Sequence, residues 1–146
     1  MNLSTKSRYG LRILICLSKT YGTGIPQKGK DIARDQGLTE PYFEQIIIKL
    51  KASTLVKTIR GCNGGYLLNR SPETISLLEI VEIFEGPIEL VKCRKGSSLC
   101  SRHNDCDAQS VWSNLSKTIR KELAQVTLAS ILKESAEAEE QPEYVI

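Results

Sequence analysis

The chain has 146 residues, 40% of them hydrophobic, 25% charged and only 5% aromatic. That is enough for one domain with a core of Leu, Ile, Val and Ala, a composition that favours helices over a sandwich or barrel and excludes a collagen-like chain. The formal charge of +3 is split unevenly. Residues 1–70 carry 12 Lys/Arg against 4 Asp/Glu, a net of +8, and residues 71–146 carry 8 against 13, a net of −5. A half this basic either faces a polyanion or is a solvated surface. No apolar run approaches the ~18–20 residues that span a bilayer. Residues 1–8 are polar, without the apolar stretch of a secretion signal. A cytoplasmic protein with no membrane partner is expected.

Ser4 or Thr5 can cap a first helix running to about Lys19, with Leu11, Leu14, Ile15 and Ser18 at helical spacing. Residues 27–36 read as a short helix with Ile32 and Ala33 inward, stopped by Gly37. Thr39 caps the next helix, with Pro41 in its first turn and Phe43, Ile46, Ile47 and Leu50 on its apolar side. Two short helices about a glycine turn are the pattern of a helix-turn-helix. Two β-rich stretches follow, residues 55–59 and 66–68, separated by a turn containing Asn63-Gly64. In that order the elements spell a winged helix.

Leu77, Ile80, Val81 and Phe84 predict a further helix, ended by Gly86-Pro87. Residues 88–107 show no apolar periodicity, and an irregular stretch that long in a small domain is usually functional. From Ala108 a long helix presents Ala108, Val111, Trp112, Leu115, Ile119, Leu123 and Val126 as one stripe. Residues 127–132 extend or follow it, and residues 134–146 read as an acidic, frayed tail. Residues 1–85 look self-sufficient, so the stripe is expected to pair with a second copy of the chain. Val111, Trp112, Leu115, Ile119 and Leu123 are its candidate dimer contacts.

Five cysteines is an odd number for a disulfide framework in a chain without a signal, which leaves thiol or metal chemistry. Cys16 sits in an apolar stretch and reads as a small core residue, and Cys62 lies in the glycine turn. Cys93, Cys100 and Cys106 cluster in the irregular stretch. Neither a phosphate-binding glycine loop nor a nucleophile partner for the single His is evident, so no enzyme and no small-molecule substrate are expected.

Several segments together closely resemble the IscR/NsrR-type winged-helix transcription regulators. They are residues 3–10, residues 42–45, the wing at residues 60–66, the three-cysteine loop, and Trp112 with Thr127 and Leu128. The likeness runs from Met1 to about Leu132. It implies a mainly α protein: a winged helix-turn-helix domain over residues 1–86, a cysteine-rich sensor loop over 87–107, a dimerisation helix region over 108–133, and the flexible tail. It also implies a homodimer on a palindromic double-stranded DNA operator.

Carried over by position, the resemblance assigns the major groove to Thr39, Pro41, Tyr42, Glu44, Gln45, Lys49 and Lys51. The wing role goes to Arg60, and a backbone contact to Tyr9. The chemistry agrees for several of these. Gln45 can pair two-pronged with adenine, Lys49 and Lys51 suit phosphates, and Arg60 beside glycines suits a narrow minor groove. Read as a residue alone, Tyr42 is equally a half-buried packing residue, Gln45 a solvent-facing one and Glu44 a helix-capping charge.

The spacing Cys93-x6-Cys100-x5-Cys106 resembles the family's iron–sulfur ligand set, which implies a cluster, [2Fe–2S] in preference to [4Fe–4S]. Lys92, Arg94, Lys95 and Arg102 would offset the charge of thiolate ligands. The family pattern is not complete. Gln109 stands where IscR-type proteins have a His, Arg8 stands where NsrR-type proteins have an Asp, and the first cysteine spacing is one residue longer. His103 is either the fourth ligand or a polar loop residue. With the three cysteines it would also make a tetrahedral zinc set. A thiol-state or partner-controlled regulator without a cluster, and a metal- or cluster-trafficking protein, are the alternatives.

Overall fold

The computed structural model describes residues 2–92, 100 and 105–140. Six helices and one hairpin follow each other as α1 (Thr5–Ser18), α2 (Gly29–Asp35), α3 (Glu40–Ala52), β1 (Val56–Ile59), β2 (Gly65–Leu68), a 3-10 turn (Pro72–Thr74), α4 (Leu77–Glu85), α5 (Asp107–Gln125) and α6 (Leu128–Glu140). The architecture is a mainly helical winged helix-turn-helix followed by a long C-terminal helix, as expected.

Local chemistry explains most of the boundaries. The Ser4, Thr39 and Ser76 hydroxyls accept from the backbone N–H groups of Ser7, Tyr42 and Glu79, so each caps its helix with a side-chain oxygen. Gly37, at φ 67°, turns the chain between α2 and α3, and the N–H of Leu38 closes onto the Ala33 carbonyl at 2.8 Å. The hairpin pairs Val56 with Leu68 and Ile59 with Gly65. Its other edge is pinned by reciprocal backbone bonds between Gln27 and Tyr66, at 3.0 and 2.8 Å.

The core gathers Ile13, Leu14 and Leu17 of α1, Ile32 and Ala33 of α2, and Phe43, Ile46, Ile47 and Leu50 of α3. Leu55, Val56, Leu68, Ile75 and Ile80 complete its near side. It also contains Leu128, at the start of α6, which is fully buried. There the chain returns to the wing domain: Leu77 N–H donates to Val126 O at 2.8 Å and Leu128 N–H to Ile75 O at 3.0 Å. Thr127 and Ser130 cap α6 reciprocally through their hydroxyls. Residues 1–85 are therefore not self-sufficient, because their core is closed by a residue from beyond the long helix. Residues 127–132 follow the long helix as the start of a separate one. One further expectation is corrected: that helix continues to Glu140, into the segment expected to fray, of which residues 141–146 lie outside the described residues. Ala and Glu are good helix formers, and Lys133 pairs with Glu137 one turn on, so the acidic composition does not prevent order.

Leu128→Ala should cost about 2–5 kcal/mol of wing-domain stability, the usual result of a cavity in a closed core. Urea denaturation followed by helix content measures it. A cost below about 0.5 kcal/mol, the scale of ordinary surface substitutions, would mean that the domain is complete without α6.

Candidate nucleic-acid interface and cysteine loop

The buried residues of α3 define its outer face. Phe43, Ile46, Ile47 and Leu50 point into the core. At 3.6 residues per turn, Pro41, Glu44, Gln45 and Ile48 then share an arc of about 100° on the opposite side. All four are exposed. Lys49 and Lys51, also exposed, fall on the two flanks of that arc. The result is an exposed stripe of mixed polarity bordered by a cation on each side. The run Ile46-Ile47-Ile48 is too wide for one apolar face of this helix, and Ile48, absent from the residues assigned by resemblance, is the one left outside.

The stripe is held from three directions. Tyr42 is half-buried and meets the Tyr9 ring edge-on at 6.2 Å, while the Arg12 guanidinium lies 5.0 Å from the Tyr9 centroid. Arg12 also donates to Gln36 Oε1 at 2.9 Å, tying α1 to the end of α2. From the wing, the Tyr66 hydroxyl donates to Glu44 Oε1 at 3.3 Å, and its ring packs edge-on against Phe43 at 5.6 Å. Burial, and then the Glu44 carboxylate, push the Tyr66 phenol up, so it remains a donor. Behind the stripe, Lys49 Nζ lies 5.7 Å from the Phe84 ring of α4. Thr39 has its hydroxyl engaged as the α3 cap. Arg60 is exposed where the chain leaves β1, and Cys62 is exposed in the turn beyond it.

Cys16 is half-buried against the core, and its thiol donates to Gln27 Oε1 at 3.3 Å. Burial and Asp35 push this thiol up, which keeps it neutral.

α4 connects the wing domain to the loop region. At one end Glu85 Oε1 accepts from Ser4 N–H at 2.7 Å and from the Ser7 hydroxyl. The hydrogen bonds from Ser4 and Ser7 hold the Glu85 carboxyl below its usual range. A carboxyl depressed on folding stabilises the fold above its unfolded pKa and loses that contribution as pH falls through the folded one. On its other face Glu82 pairs with Arg120 of α5 and accepts from Ile88 N–H at 3.4 Å. Leu90 N–H donates to Ser116 Oγ at 3.0 Å. The strand of chain entering the cysteine loop is thus fastened along α5.

Cys100 and Cys106 are exposed, and Cys106 stands at the N-cap of α5 without a side-chain capping bond. Both are thiol donors of the right chemistry for iron–sulfur or zinc ligation. Cys93, His103, Arg94, Lys95 and Arg102 lie outside the described residues. Among the described residues no group of three or more His, Cys, Asp or Glu side chains is assembled for a metal. None of the α5 residues is buried, and Val111, Trp112 and Leu115 are 54%, 42% and 45% exposed. Ile119 and Leu123 are half-buried. Among the described residues, no helix is long and apolar enough to cross a membrane.

A sequence model of the Rrf2 family, described as an iron-dependent transcriptional regulator, matches residues 3–134. The transcriptional regulator CymR of Bacillus subtilis is 36% identical over 131 residues, covering 90% of this chain and 89% of that protein. Two solved structures superpose on nearly the whole chain. IscR of T. potens does so with TM-score 0.77 at 35% identity, covering 99% of this chain and 95% of its own. CymR, the global cysteine regulator of B. subtilis, does so with TM-score 0.74 at 34% identity, covering 92% and 98%. With its winged helix, its basic N-terminal half and relatives matched along nearly their full length, this chain belongs to the Rrf2 family and is a DNA-binding transcriptional regulator of the IscR and CymR type.

Proposed function

We propose that the chain is a homodimeric, sequence-specific regulator that binds a palindromic operator in the cytoplasm and is controlled at the loop carrying Cys93, Cys100 and Cys106. The observation that carries the DNA reading is the exposed α3 stripe with a lysine on each flank. In this reading Glu44 and Gln45 face base edges, Pro41 and Tyr42 shape the approach, and Lys49 and Lys51 meet phosphates on either side of the major groove. Thr39 and Tyr9 lie at the margin towards the backbone, and Arg60 enters the minor groove. Arg60→Ala should weaken operator binding by about 1–3 kcal/mol and relax specificity under the wing, whereas Lys51→Ala should weaken all sequences alike and reduce the salt slope by about one unit. Titrations of a selected duplex at several salt concentrations measure both. Unchanged affinity in both variants would sink this docking.

The exposed α5 stripe supports the homodimer. Val111, Trp112 and Leu115 are large, adjacent and uncovered, with Ile119 and Leu123 continuing the line. Covering them with a second α5 removes that apolar surface from water and places two α3 stripes on one duplex. Ile119→Glu should yield a monomer by light scattering and lose tight operator binding, since it would bury an unpaired charge in an apolar seam. A wild-type monomer at micromolar concentration contradicts the dimer.

For the loop, the reading is an iron–sulfur cluster held by the thiolates of Cys93, Cys100 and Cys106, with His103 the candidate fourth ligand. When bound, such a cluster supplies a centre sensitive to redox state, iron–sulfur status or nitric oxide. The three-cysteine spacing and the iron-dependent description of the family support it. The contacts of α4 supply a route for the signal. Ligation at the loop would act on α5 and its Arg120–Glu82 pair, and α4 touches both α1 and Lys49 of α3. A second reading, thiol-state control without a cluster, is favoured by the likeness to the cysteine regulator CymR and by Gln109 at the family's histidine position. Anaerobic purification with an absorption spectrum and iron, sulfide and zinc counts separates the readings. Cluster absorption should be present in the wild type and lost in each Cys→Ala variant. Zinc without sulfide points to a zinc site. A metal-free protein whose operator affinity changes on thiol oxidation supports the second reading.

A further inference from the structure

We propose that Ile48 is a specificity-determining residue of the DNA interface, reading the C5 methyl group of a thymine in the major groove. The proposal rests on the DNA-binding reading above and deepens it. Ile48 is 60% exposed, on a helix whose Phe43, Ile46, Ile47 and Leu50 are all buried. Single apolar residues on a surface are ordinary, so position decides. Ile48 stands in the middle of the outward arc of α3, one turn beyond Glu44 and Gln45, with a lysine flank on either side. A helix laid lengthwise in a groove with Glu44 and Gln45 facing bases also brings Ile48 towards the base edges.

The chemistry of that side chain leaves one feature to read. An isoleucine neither donates nor accepts, so it gains nothing from the hydrogen-bonding edges of guanine, cytosine or adenine. Among the base edges in the major groove, the thymine methyl is the apolar one. A β-branched side chain on a helix is held near a single χ1 rotamer, so Ile48 presents its methyl groups without much further loss of freedom on binding. Gln45 lies three residues earlier, about 4.5 Å along the helix axis. That is close to the ~3.4 Å rise of one base-pair step. A Gln45–adenine contact and an Ile48–thymine contact therefore fit adjacent pairs, which makes A·T the favoured composition under the centre of α3. Glu44, steadied by the Tyr66 hydroxyl, faces the other side of the stripe, where its carboxylate accepts from a cytosine amino group.

The experiment starts with full-length protein and a pool of randomised double-stranded DNA, from which the bound sequences are selected. Each thymine of the selected duplex is then replaced by deoxyuridine, which removes the methyl group and nothing else. Wild-type affinity should fall about fourfold, the worth of one buried methyl group, at one thymine under α3. Ile48→Ala should bind the thymine and uracil duplexes equally, and Ile48→Val, which keeps the branched methyl groups, should retain the discrimination. Ile48 is exposed, so neither variant disturbs the core, and the deoxyuridine scan of the wild type needs no variant at all. The proposal is overturned if no thymine is sensitive to loss of its methyl group, or if Ile48→Ala keeps the full sensitivity. A pool that yields no enriched sequence overturns the sequence-specific reading itself, and the role of Ile48 with it. Enrichment without methyl sensitivity overturns only the role of Ile48.

Discussion

Phe84 lies against the bare Cα of Gly10, and that contact fixes where α4 stands. A Cβ on Gly10 would come within 2.4 Å of the Phe84 ring, a distance no packed methyl group tolerates. The absence of a side chain lets α1 and α4 approach closely enough for everything else that α4 does. Its C-terminal Glu85 reaches the capped start of α1, the Phe84 ring carries the Lys49 ammonium above it, and Glu82 meets Arg120 on the long helix. One short helix thus touches the first helix, the outward-facing helix and the C-terminal arm. A small rotation of α4 cannot relieve one of these contacts without disturbing the others, because close-packed interfaces repack between discrete arrangements more readily than they deform.

The face that α3 presents is made rigid by groups that are not part of it. Tyr9 and Arg12 brace it through Tyr42 from α1, and Tyr66 braces it through Glu44 from the wing. The two braces lie on separate elements, so the outward side chains are positioned from both sides of the stripe. That matters more for choosing among sequences than for affinity. Phosphate contacts tolerate small displacements, whereas a side chain aimed at one base edge does not.

What was legible in the sequence is what local chemistry decides. Ser4 and Thr39 cap the next turn of chain, Gly37 and Gly86 end helices, and the glycine turn at residues 61–65 closes a hairpin. Each acts within a few residues of itself. The features that escaped are settled across the fold. Leu128 looks like any leucine beginning a helix, and only the return of the chain to Ile75 makes it core. Glu85 and Glu82 read as surface acids until Ser4 and Arg120 are placed beside them. The end of α6 is a case of competing local signals, in which the helix preference of Ala and Glu outweighs the acidic charge. For the candidate site, the outward side of α3 follows from its helical period, the role of Arg60 is an assignment by family resemblance, and the braces at Arg12 and Tyr66 depend on tertiary contacts.

The late closure of the core has a bearing on how the protein is made. At ~5–20 residues per second, a ribosome takes roughly 2–9 s to pass from the end of α4 to Leu128. For that interval the hairpin and the first four helices exist with an apolar gap that nothing yet made can fill. Until Leu128 emerges, Ile75 and the inner face of α1 lack the side chain that covers them in the finished fold. A message cut short within the loop or α5 encodes a wing domain without Leu128. Its core keeps the gap that Leu128 fills in the finished fold, so the helices that hold the α3 face lose part of their packing.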